Sequence, residues 1–385
     1  MSYLKPAIVV AAYNRERSLS RLLSMLLVAE YPEGEVVPLV ISIDGGGAEE
    51  VVRAANDFEW PFGDKKVIAH SKNLGLRQHI LRCGDLTARY GAIIMLEDDL
   101  GLSRFFYEYT LQALNKFSDE EEIAGISLYK HLINVNCGSR FEPMDNGLGY
   151  YYMQFAQSWG QIWTREQWSG FRQWYDVEKN RTKKLDIPKF VANWPESSWL
   201  KYYISYLVDQ KKYFVYPMRS LTTNFSDAGT HVNVSNNMFQ VPLAECLPSI
   251  LALKGREVLR YDAYFEMEGH SYAVLALGSL ANGLVSDLYG IRDLSVYAPE
   301  QKILTIRPSG RVYASYGLYF KPRELNVLYA ASGSQIFLTE VQDIEGVFAP
   351  ESRGYYDYVY EGMFRGWRSL ASIVLGLIKT RIFRR

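Results

Sequence analysis

The chain has 385 residues and a formal net charge of −1, with 42 Lys and Arg against 43 Asp and Glu. This balance gives no overall attraction for nucleic acid, and the length allows one large domain plus a smaller one. The three cysteines, Cys83, Cys137 and Cys246, are far apart and match no metal-binding spacing, which favours a reducing compartment. With no signal-peptide pattern and no run of about 18 apolar residues, we expect a cytoplasmic protein.

The first 130 residues alternate between apolar runs and helical patterns. Buried strands are predicted at 7–13, 36–47, 65–70, 91–100 and 122–130. Helices are predicted from the leucines at 19, 22, 23, 26 and 27, capped by Ser18, within 73–90, and over 103–117, capped by Ser103. This alternation predicts an α/β, Rossmann-like fold with a mostly parallel sheet and helices on both faces.

Polar residues follow four of the predicted strands. They are Asn14, Asp44, Asn73 and the acids Glu97, Asp98 and Asp99. In open parallel sheets, ligands bind at the carboxyl ends of the strands. A strand that ends in three acids can hold a divalent ion such as Mg²⁺ or Mn²⁺, which prefers carboxylate and phosphate oxygens. The other interpretation of these acids is a solvated turn or a cap of the next helix.

The composition changes twice further along the chain. Residues 146–215 are dense in Trp and Tyr, and a helix is predicted to begin at Pro195. Beyond about 250 the pattern alternates, and Pro308-Ser309-Gly310 predicts a hairpin turn. We therefore expect a first domain over 1–245 and an accessory, partly β region over 250–360.

The last residues, 361–385, predict a basic amphipathic helix that lies on an anionic membrane surface. Trp367 belongs to its apolar face, and no acid follows Glu361. The basic residues are Arg365, Arg368, Lys379, Arg381, Arg384 and Arg385. The alternative is a C-terminal helix that packs on the protein's own core.

An ordered set of motifs resembles the nucleotide-sugar glycosyltransferases of the GT-A fold. The set runs from "PAIVVAAYNRERS" through "ISIDGGG", "SKNLGLRQHIL", "GAIIMLEDDLGLSRFFYEY" and "IAGISLYK" to "SWGQIWTREQWSGFRQWYD" and "NFSDAGTHVN". It covers roughly residues 6–235 and is most similar to family 2-like bacterial enzymes and the N-acetylglucosaminyltransferase I group.

The resemblance implies a nucleotide-sugar pocket at the strand ends. Its implied residues are Ala12, Tyr13, Asn14, Arg15, Asp44, Asn73, Gly75, Arg77, Glu97 and Asp98. Within that set, Arg15 and Arg77 are expected near phosphate, and Asp44 near the base or ribose. Asn14, Asp44 and Arg77 also have plain structural interpretations, as two turn residues and an exposed helical arginine.

The resemblance also implies a metal site and an acceptor site. Asp99 matches the direct metal ligand and His231 a late histidine that completes the site. Inverting transfer needs a carboxylate base, but Leu200 stands where the family leads us to expect an Asp after Trp199. Glu196 is the substitute and Asp227 the second candidate. The tryptophans that could stack on sugars, or pack in the core instead, are Trp159, Trp163 and Trp194.

Together these features predict an inverting, Mn²⁺- or Mg²⁺-dependent transferase that uses a UDP-linked donor. Its expected acceptor is a glycan, lipid-linked, in the synthesis of a bacterial surface polysaccharide at the inner face of the cytoplasmic membrane. A non-catalytic glycan-binding or scaffold protein is one alternative, since the expected Asp is absent. A sugar nucleotidyltransferase is another, although "AAYNRERS" lacks the glycines of its phosphate loop. A metal-dependent hydrolase fits less well, because His and Asp are scattered.

Overall fold

The computed structural model describes residues 4–179, 185–227 and 237–346, together with Tyr358, Tyr360, Leu370 and Val374. The chain divides into two compact units. The first comprises residues 1–131 and 145–258, and the second comprises 132–144 and 259–385. The predicted basic helix at 361–385 lies outside the described residues except at Leu370 and Val374, so it stays a prediction.

The elements are numbered in chain order. The strands are β1 (Ala7–Ala12), β2 (Leu39–Ile43), β3 (Lys65–Ala69), β4 (Ala92–Glu97), β5 (Leu100–Leu102), β6 (Ile123–Ser127), β7 (Ile133–Asn134), β8 (Ser139–Arg140), β9 (Tyr150–Met153), β10 (Gln161–Thr164), β11 (Tyr213–Pro217), β12 (Thr222–Asn224), β13 (Arg260–Tyr261), β14 (Val285–Asp287), β15 (Lys302–Thr305), β16 (Ala314–Tyr316) and β17 (Ile336–Glu340). The helices are α1 (Glu16–Leu27), α2 (Glu49–Asp57), α3 (Gly75–Gly84), α4 (Thr87–Tyr90), α5 (Phe106–Phe117), α6 (Arg165–Glu178), α7 (Lys189–Ala192), α8 (Trp199–Asp209), α9 (Gly269–Tyr272) and α10 (Leu325–Leu328).

The first unit is built on a large sheet. Within it the strand order is β9-β11-β6-β10-β4-β1-β2-β3. Parallel pairs join β1 to β2 and β4, β2 to β3, and β6 to β11, whereas β10 is antiparallel to both of its neighbours. The predicted α/β fold with a mostly parallel, helix-flanked sheet is therefore confirmed.

The leucine pattern explains how helix α1 packs. Leu19, Leu22, Leu23 and Leu26 are spaced to share one face of the helix, and all are at most 2% exposed. They belong to the same buried cluster as the strand residue Val10. The predicted cap at Ser18 is wrong by one turn, because α1 begins at Glu16 and Ser18 is already helical.

A short antiparallel ladder between β5 and β12 positions the end of β4. Its register pairs Leu100 with Asn224 and Leu102 with Thr222. Because β5 starts one residue after Asp99, the ladder holds the segment after Asn224 beside the acids. The predicted cap at Ser103 is also displaced, since α5 begins at Phe106 and the Ser103 hydroxyl donates instead to the Ala244 carbonyl over 2.6 Å.

Helix α8 begins later than predicted. It starts at Trp199, with Ser198 as its cap accepting a hydrogen bond from the Lys201 amide. Pro195 instead forms a turn in which its carbonyl accepts from the Ser198 amide over 2.9 Å. Glu196 therefore lies in this turn before the helix rather than in its first turn.

The second unit contains a sheet of order β14-β15-β17-β16. The predicted hairpin at Pro308-Ser309-Gly310 is wrong, because β15 and β16 do not pair with each other. β17 lies between them and is antiparallel to both. Buried ion pairs stabilise this unit: Arg292 pairs with Asp262, and Arg307 Nε lies 2.7 Å from Asp287 Oδ2.

Among the residues that the structure describes, none of the helices has both the length and the apolar content needed to cross a membrane.

Candidate active site

The carboxyl ends of β1, β2 and β4 meet at one edge of the sheet. In the parallel registers Ala12 lies opposite Ile43, and Ala11 lies opposite Glu97. The residues that follow these strands are therefore neighbours, as the sequence predicts. This edge brings Tyr13 to Arg15, Asp44 and the acids 97–99 together.

Arg15 binds two of the three acids. Its Nη1 donates to Asp99 Oδ2 over 2.8 Å, and its Nη2 forms an ion pair with Asp98 Oδ1. Asp98 and Asp99 are only 3% and 7% exposed, so water screens these pairs weakly. Both acids are thus committed to one guanidinium, which serves as their counter-ion.

Asp98 and Glu97 resist ionisation even with Arg15 present. Burial raises the pKa of Asp98 to about 6, although the charge of Arg15 and its hydrogen bond oppose this shift. Burial and the neighbouring Asp99 also raise the pKa of Glu97. For Arg15, burial lowers the pKa, but the charges of Asp98 and Asp99 outweigh burial and leave it raised. Three acids therefore lie near one arginine, and burial opposes the ionisation of two of them.

These residues fit a divalent cation by the chemistry of their donor atoms. Carboxylate oxygens are the hard ligands that Mg²⁺ and Mn²⁺ prefer, and three carboxyl groups here lie near a single arginine. Among the described residues, however, no three side chains of His, Cys, Asp or Glu are arranged to hold a metal ion. His231, the other predicted ligand, lies outside the described residues.

Residues after β12 complete the surroundings of Asp99. The Asn224 Nδ2 donates to Asp99 Oδ1 over 3.3 Å, and the Phe225 amide donates to the Asp99 carbonyl over 3.1 Å. Arg15 Nη1 also donates to the Asp227 carbonyl over 3.4 Å. The segment 224–227 is therefore attached both to the acids and to their arginine.

The Asp227 carboxylate is held by helix α1. Ser18 Oγ donates to Asp227 Oδ2 over 2.7 Å, and Arg21 forms an ion pair with the same oxygen. Burial raises the pKa of Asp227, but the hydrogen bonds from Arg21 and Ser18 outweigh it and leave the pKa below its ordinary value. This carboxylate is already engaged by two donors, which suits anchoring of the segment better than proton abstraction.

Asp44 joins two loops of the predicted nucleotide pocket. Its Oδ1 accepts from the amides of Gly45 and Leu74, both over 2.8 Å, and its Oδ2 accepts from the Gly75 amide over 3.1 Å. The plain structural interpretation of Asp44 thus applies in this structure, since its oxygens are used by the backbone. Asn73 Nδ2 donates to the Tyr13 hydroxyl over 3.2 Å and closes the same corner. Ala12 is buried at the end of β1, and Asn14 is exposed beside it.

A chain of polar contacts links Arg77 to Glu196. Arg77 Nη1 donates to the Tyr202 hydroxyl over 3.1 Å, and that hydroxyl donates to Glu196 Oε2. Lys201 Nζ lies 3.0 Å from Glu196 Oε1. The hydrogen bonds from Tyr202 and Lys201 lower the pKa of Glu196, so the exposed carboxylate is ionised at neutral pH. Helices α3 and α8 thereby connect the predicted base to the predicted phosphate contact.

The three predicted stacking tryptophans differ in access. Trp163 is 0% exposed and packs against Trp168 and Tyr203 at ring-centroid distances of 4.5 and 5.9 Å, so its stacking role is corrected to core packing. Trp159 is partly exposed and packs against Phe239 at 4.7 Å. Trp194 is also partly exposed. Only the last two retain a surface for a sugar.

Four residues of the site were not predicted as site residues, and one of them, Ser18, was predicted only as a helix cap. They are Ser18, Arg21, Asn224 and Tyr202. Asn224 belongs to the motif "NFSDAGTHVN", so of the four residues it is the one that the sequence motifs could have identified. Ser18 and Arg21 belong to an ordinary amphipathic helix, and their partner lies more than 200 positions away.

The chain is similar to solved structures of glycosyltransferase type. One is the mannosyltransferase PcManGT from Pyrobaculum calidifontis in complex with GDP-Man and Mn²⁺, at 11% identity and a TM-score of 0.31, covering 42% of this chain and 45% of that one. Another is residues 1–349 of S. aureus TarS in complex with UDP, at 15% identity and a TM-score of 0.34, covering 55% and 60%. The match covers 36% of the longer TarS structure.

The matched part of each of these structures is less than two thirds of its length. No protein-family model and no curated protein sequence matches the chain. The proposals below are based on this chain's own residues.

Proposed function

We propose that this chain is a metal-dependent glycosyltransferase that moves a sugar from a nucleotide diphosphate donor, UDP-linked, to a glycan acceptor. The observation that carries the proposal is the buried acid pair Asp98–Asp99, which ends a central strand beside Arg15. A carboxylate pair at the carboxyl edge of an α/β sheet suits a cation that neutralises a departing diphosphate.

The donor is held by the loops around this edge. The Gly45-Gly46-Gly47 loop and the Asn73–Gly75 loop, tied together by Asp44, form the nucleotide side of the pocket. Arg15 and Arg77 present guanidinium groups to the diphosphate, whose oxygens match their planar forks. Asp99 would hold the cation, Glu97 and Asp98 would hold the ribose and the donor sugar, and His231 would be a further metal ligand.

Glu196 is the base that accepts the proton of the acceptor hydroxyl. Its carboxylate is exposed to an incoming acceptor and connected through Tyr202 to Arg77, whereas Asp227 is engaged by Arg21 and Ser18. The hydroxyl then attacks the anomeric carbon from the face opposite the diphosphate, so the configuration inverts without a covalent enzyme intermediate. The partly exposed Trp159 and Trp194 stack on acceptor sugars.

The basic segment 361–385 places the enzyme on the inner face of the cytoplasmic membrane, where a lipid-linked acceptor of a growing surface polysaccharide is confined. The support is its sequence alone: basic residues, an apolar face and no acid after Glu361.

Turnover of a nucleotide-sugar panel by the purified chain, with Mn²⁺ or with EDTA, tests the activity. We expect Mn²⁺-dependent release of the nucleotide diphosphate that Asp99→Asn abolishes and that Asp119→Asn, an exposed acid of the same unit, leaves intact. Turnover that survives both EDTA and Asp99→Asn contradicts the metal role. Donor binding without turnover indicates the alternative, a non-catalytic glycan-binding protein.

The base is tested by Glu196→Gln and Asp227→Asn. We expect Glu196→Gln to lower kcat by at least about 100-fold with little change in donor affinity. Asp227→Asn should act mainly on KM, because it loosens the segment 224–227. The reverse pattern assigns the base to Asp227.

A further inference from the structure

Arg15 contacts one oxygen atom of each of the two buried carboxylates proposed to hold a divalent cation. Its two terminal nitrogens contact Asp98 Oδ1 and Asp99 Oδ2, the latter at 2.8 Å. The Arg15 side chain is 23% exposed, and the two carboxylates are 4% and 9% exposed. The ion pairs are therefore largely shielded from water and hold the acids in a defined geometry.

A guanidinium and a divalent cation repel each other and compete for the same carboxylates. A cation that binds Asp99 must therefore weaken or replace the contacts of Arg15 with the pair. A displaced guanidinium needs a new anion, because burial without a partner is costly. Arg15 follows Asn14 at the sheet edge, where the donor diphosphate is proposed to lie, and a phosphate matches its fork of donors.

We infer that Arg15 is an exchangeable counter-ion: it pairs with Asp98 and Asp99 before loading and transfers to the donor diphosphate when the cation takes its place. The inference rests on the proposed function. It predicts that cation and nucleotide bind cooperatively. The cation displaces Arg15 from the two acids, and the nucleotide diphosphate then provides the anion that Arg15 requires. By thermodynamic linkage, the nucleotide must tighten cation binding by the same factor as the cation tightens nucleotide binding.

Arg17 provides a matched control. It carries the same charge two residues later, in the first turn of helix α1, and it is exposed. Arg17→Gln therefore changes the net charge equally without uncovering the acid pair. An effect of net charge alone would appear in both variants.

The experiment measures Mn²⁺ affinity of the full chain by the paramagnetic resonance signal of free Mn²⁺, with and without UDP. In wild type and in Arg17→Gln we expect UDP to tighten Mn²⁺ binding about tenfold or more. In Arg15→Gln we expect Mn²⁺ alone to bind about tenfold more tightly than in wild type, with little further effect of UDP. Calorimetry should show weaker UDP binding to the Mn²⁺-loaded Arg15→Gln chain.

Two results overturn the inference while leaving the proposed function in place. The first is wild-type binding of Mn²⁺ that Arg15→Gln weakens or leaves unchanged, and the second is an equal gain in Mn²⁺ affinity in Arg17→Gln. Absence of Mn²⁺ binding by the wild type, with or without UDP, instead overturns the metal part of the proposed function and the inference with it.

Arg15→Lys covers the case in which the glutamine variant does not fold without metal. A lysine keeps the charge but contacts the carboxylates through a single nitrogen. We expect a Mn²⁺ affinity between those of wild type and Arg15→Gln, with circular dichroism showing a folded chain. A Mn²⁺ affinity weaker than that of wild type contradicts the competition.

Discussion

His131 illustrates how a single buried side chain sets the response of this fold to pH. It is 2% exposed, and its ring packs against Tyr129 and Tyr216 at centroid distances of 5.1 and 5.7 Å. Burial lowers the pKa of His131 to about 3. The imidazole is therefore neutral in the folded protein at any pH at which the unfolded chain, with a pKa of about 6.5, begins to take up a proton.

This difference predicts a loss of stability in acid. Between pH 6.5 and about 3 the unfolded state binds more protons, so the free energy of unfolding falls as the pH falls. At pH 5 the contribution of His131 is about 2 kcal/mol. Urea denaturation at pH 7.5 and pH 5 should show a smaller pH effect in His131→Phe than in wild type by about that amount. An unchanged pH effect contradicts the assignment.

Gly47 shows a second residue-scale requirement. A Cβ at this position would lie 2.0 Å from the Tyr13 carbonyl oxygen, so any side chain pushes apart two loops of the predicted nucleotide pocket. We expect Gly47→Ala to lower the free energy of unfolding by about 3 kcal/mol and to weaken UDP binding.

Gly34→Ala is the comparison for Gly47→Ala. Gly34 has a φ of 76°, but its Cβ would meet nothing within 4 Å. Gly34→Ala should lower the free energy of unfolding by only about 1 kcal/mol, from backbone strain, and leave the affinity for UDP unchanged. Equal losses in the two variants would show that the close approach at Gly47 is readily relieved.

At the scale of elements, helices α3 and α8 bring Arg77 and Glu196 together through Tyr202. Because the Tyr202 hydroxyl lowers the pKa of Glu196, Tyr202→Phe should raise it. A base must be ionised, so activity rises with pH through its pKa, and the acidic limb of the kcat/KM profile should move to higher pH. Steady-state kinetics between pH 4 and pH 8 measures this shift.

Tyr206→Phe on the same helix is the control, because among the described residues the hydrogen bonds of Glu196 come from Tyr202 and Lys201. Its profile should match that of the wild type. An acidic limb that does not move in Tyr202→Phe argues against Glu196 as the base.

Periodicity predicted those elements that bury one continuous apolar face or run. The buried strands β1, β2, β4 and β6 all lie within the predicted segments, as does helix α5. Strand β3 was also located, but its predicted burial is wrong, because none of its residues is buried. The short, polar helix α2 was missed, since only Val51 and Ala55 of its nine residues are buried. The hairpin failed because a turn motif fixes local geometry but does not determine which distant strand pairs with its arms.

For the candidate site, the sequence predicted residues that follow buried strands but not the contacts between residues that are distant in sequence. Strand ends and the ordered motifs identified Arg15, Asp44 and the acids, because position after a buried strand is encoded locally. The pairing of Arg15 with Asp98 and Asp99 joins residues more than 80 positions apart, and the anchoring of Asp227 depends on an unremarkable helix. Such partnerships are set by the tertiary fold and leave no local pattern.

At the scale of the whole molecule, the predicted basic segment implies a membrane-surface enzyme. Flotation with vesicles containing anionic phospholipid should carry the intact chain, while a chain truncated after Glu361 should stay at the bottom of the gradient. Screening by 1 M salt should weaken the association, because attraction of basic residues to anionic lipid falls with ionic strength.

Neutral vesicles are the control for lipid charge, and a chain in which Arg365 and Arg368 are both replaced by Gln tests the basic face without shortening the protein. Equal flotation of the intact and truncated chains removes the membrane assignment and leaves the proposed transferase activity unaffected.

The ladder between β5 and β12 also has a consequence for synthesis on the ribosome. Asp99 emerges early, but the Asn224 amide that contacts it is translated 125 residues later. A nascent chain that stops before β12 can form the first four strands yet leaves the acids without Asn224 and without the anchored Asp227. We therefore expect this site to assemble late, after β12 has left the ribosome, because its contacts join residues that are far apart in sequence. Fragments ending before residue 222 should bind both Mn²⁺ and UDP more weakly than the full chain.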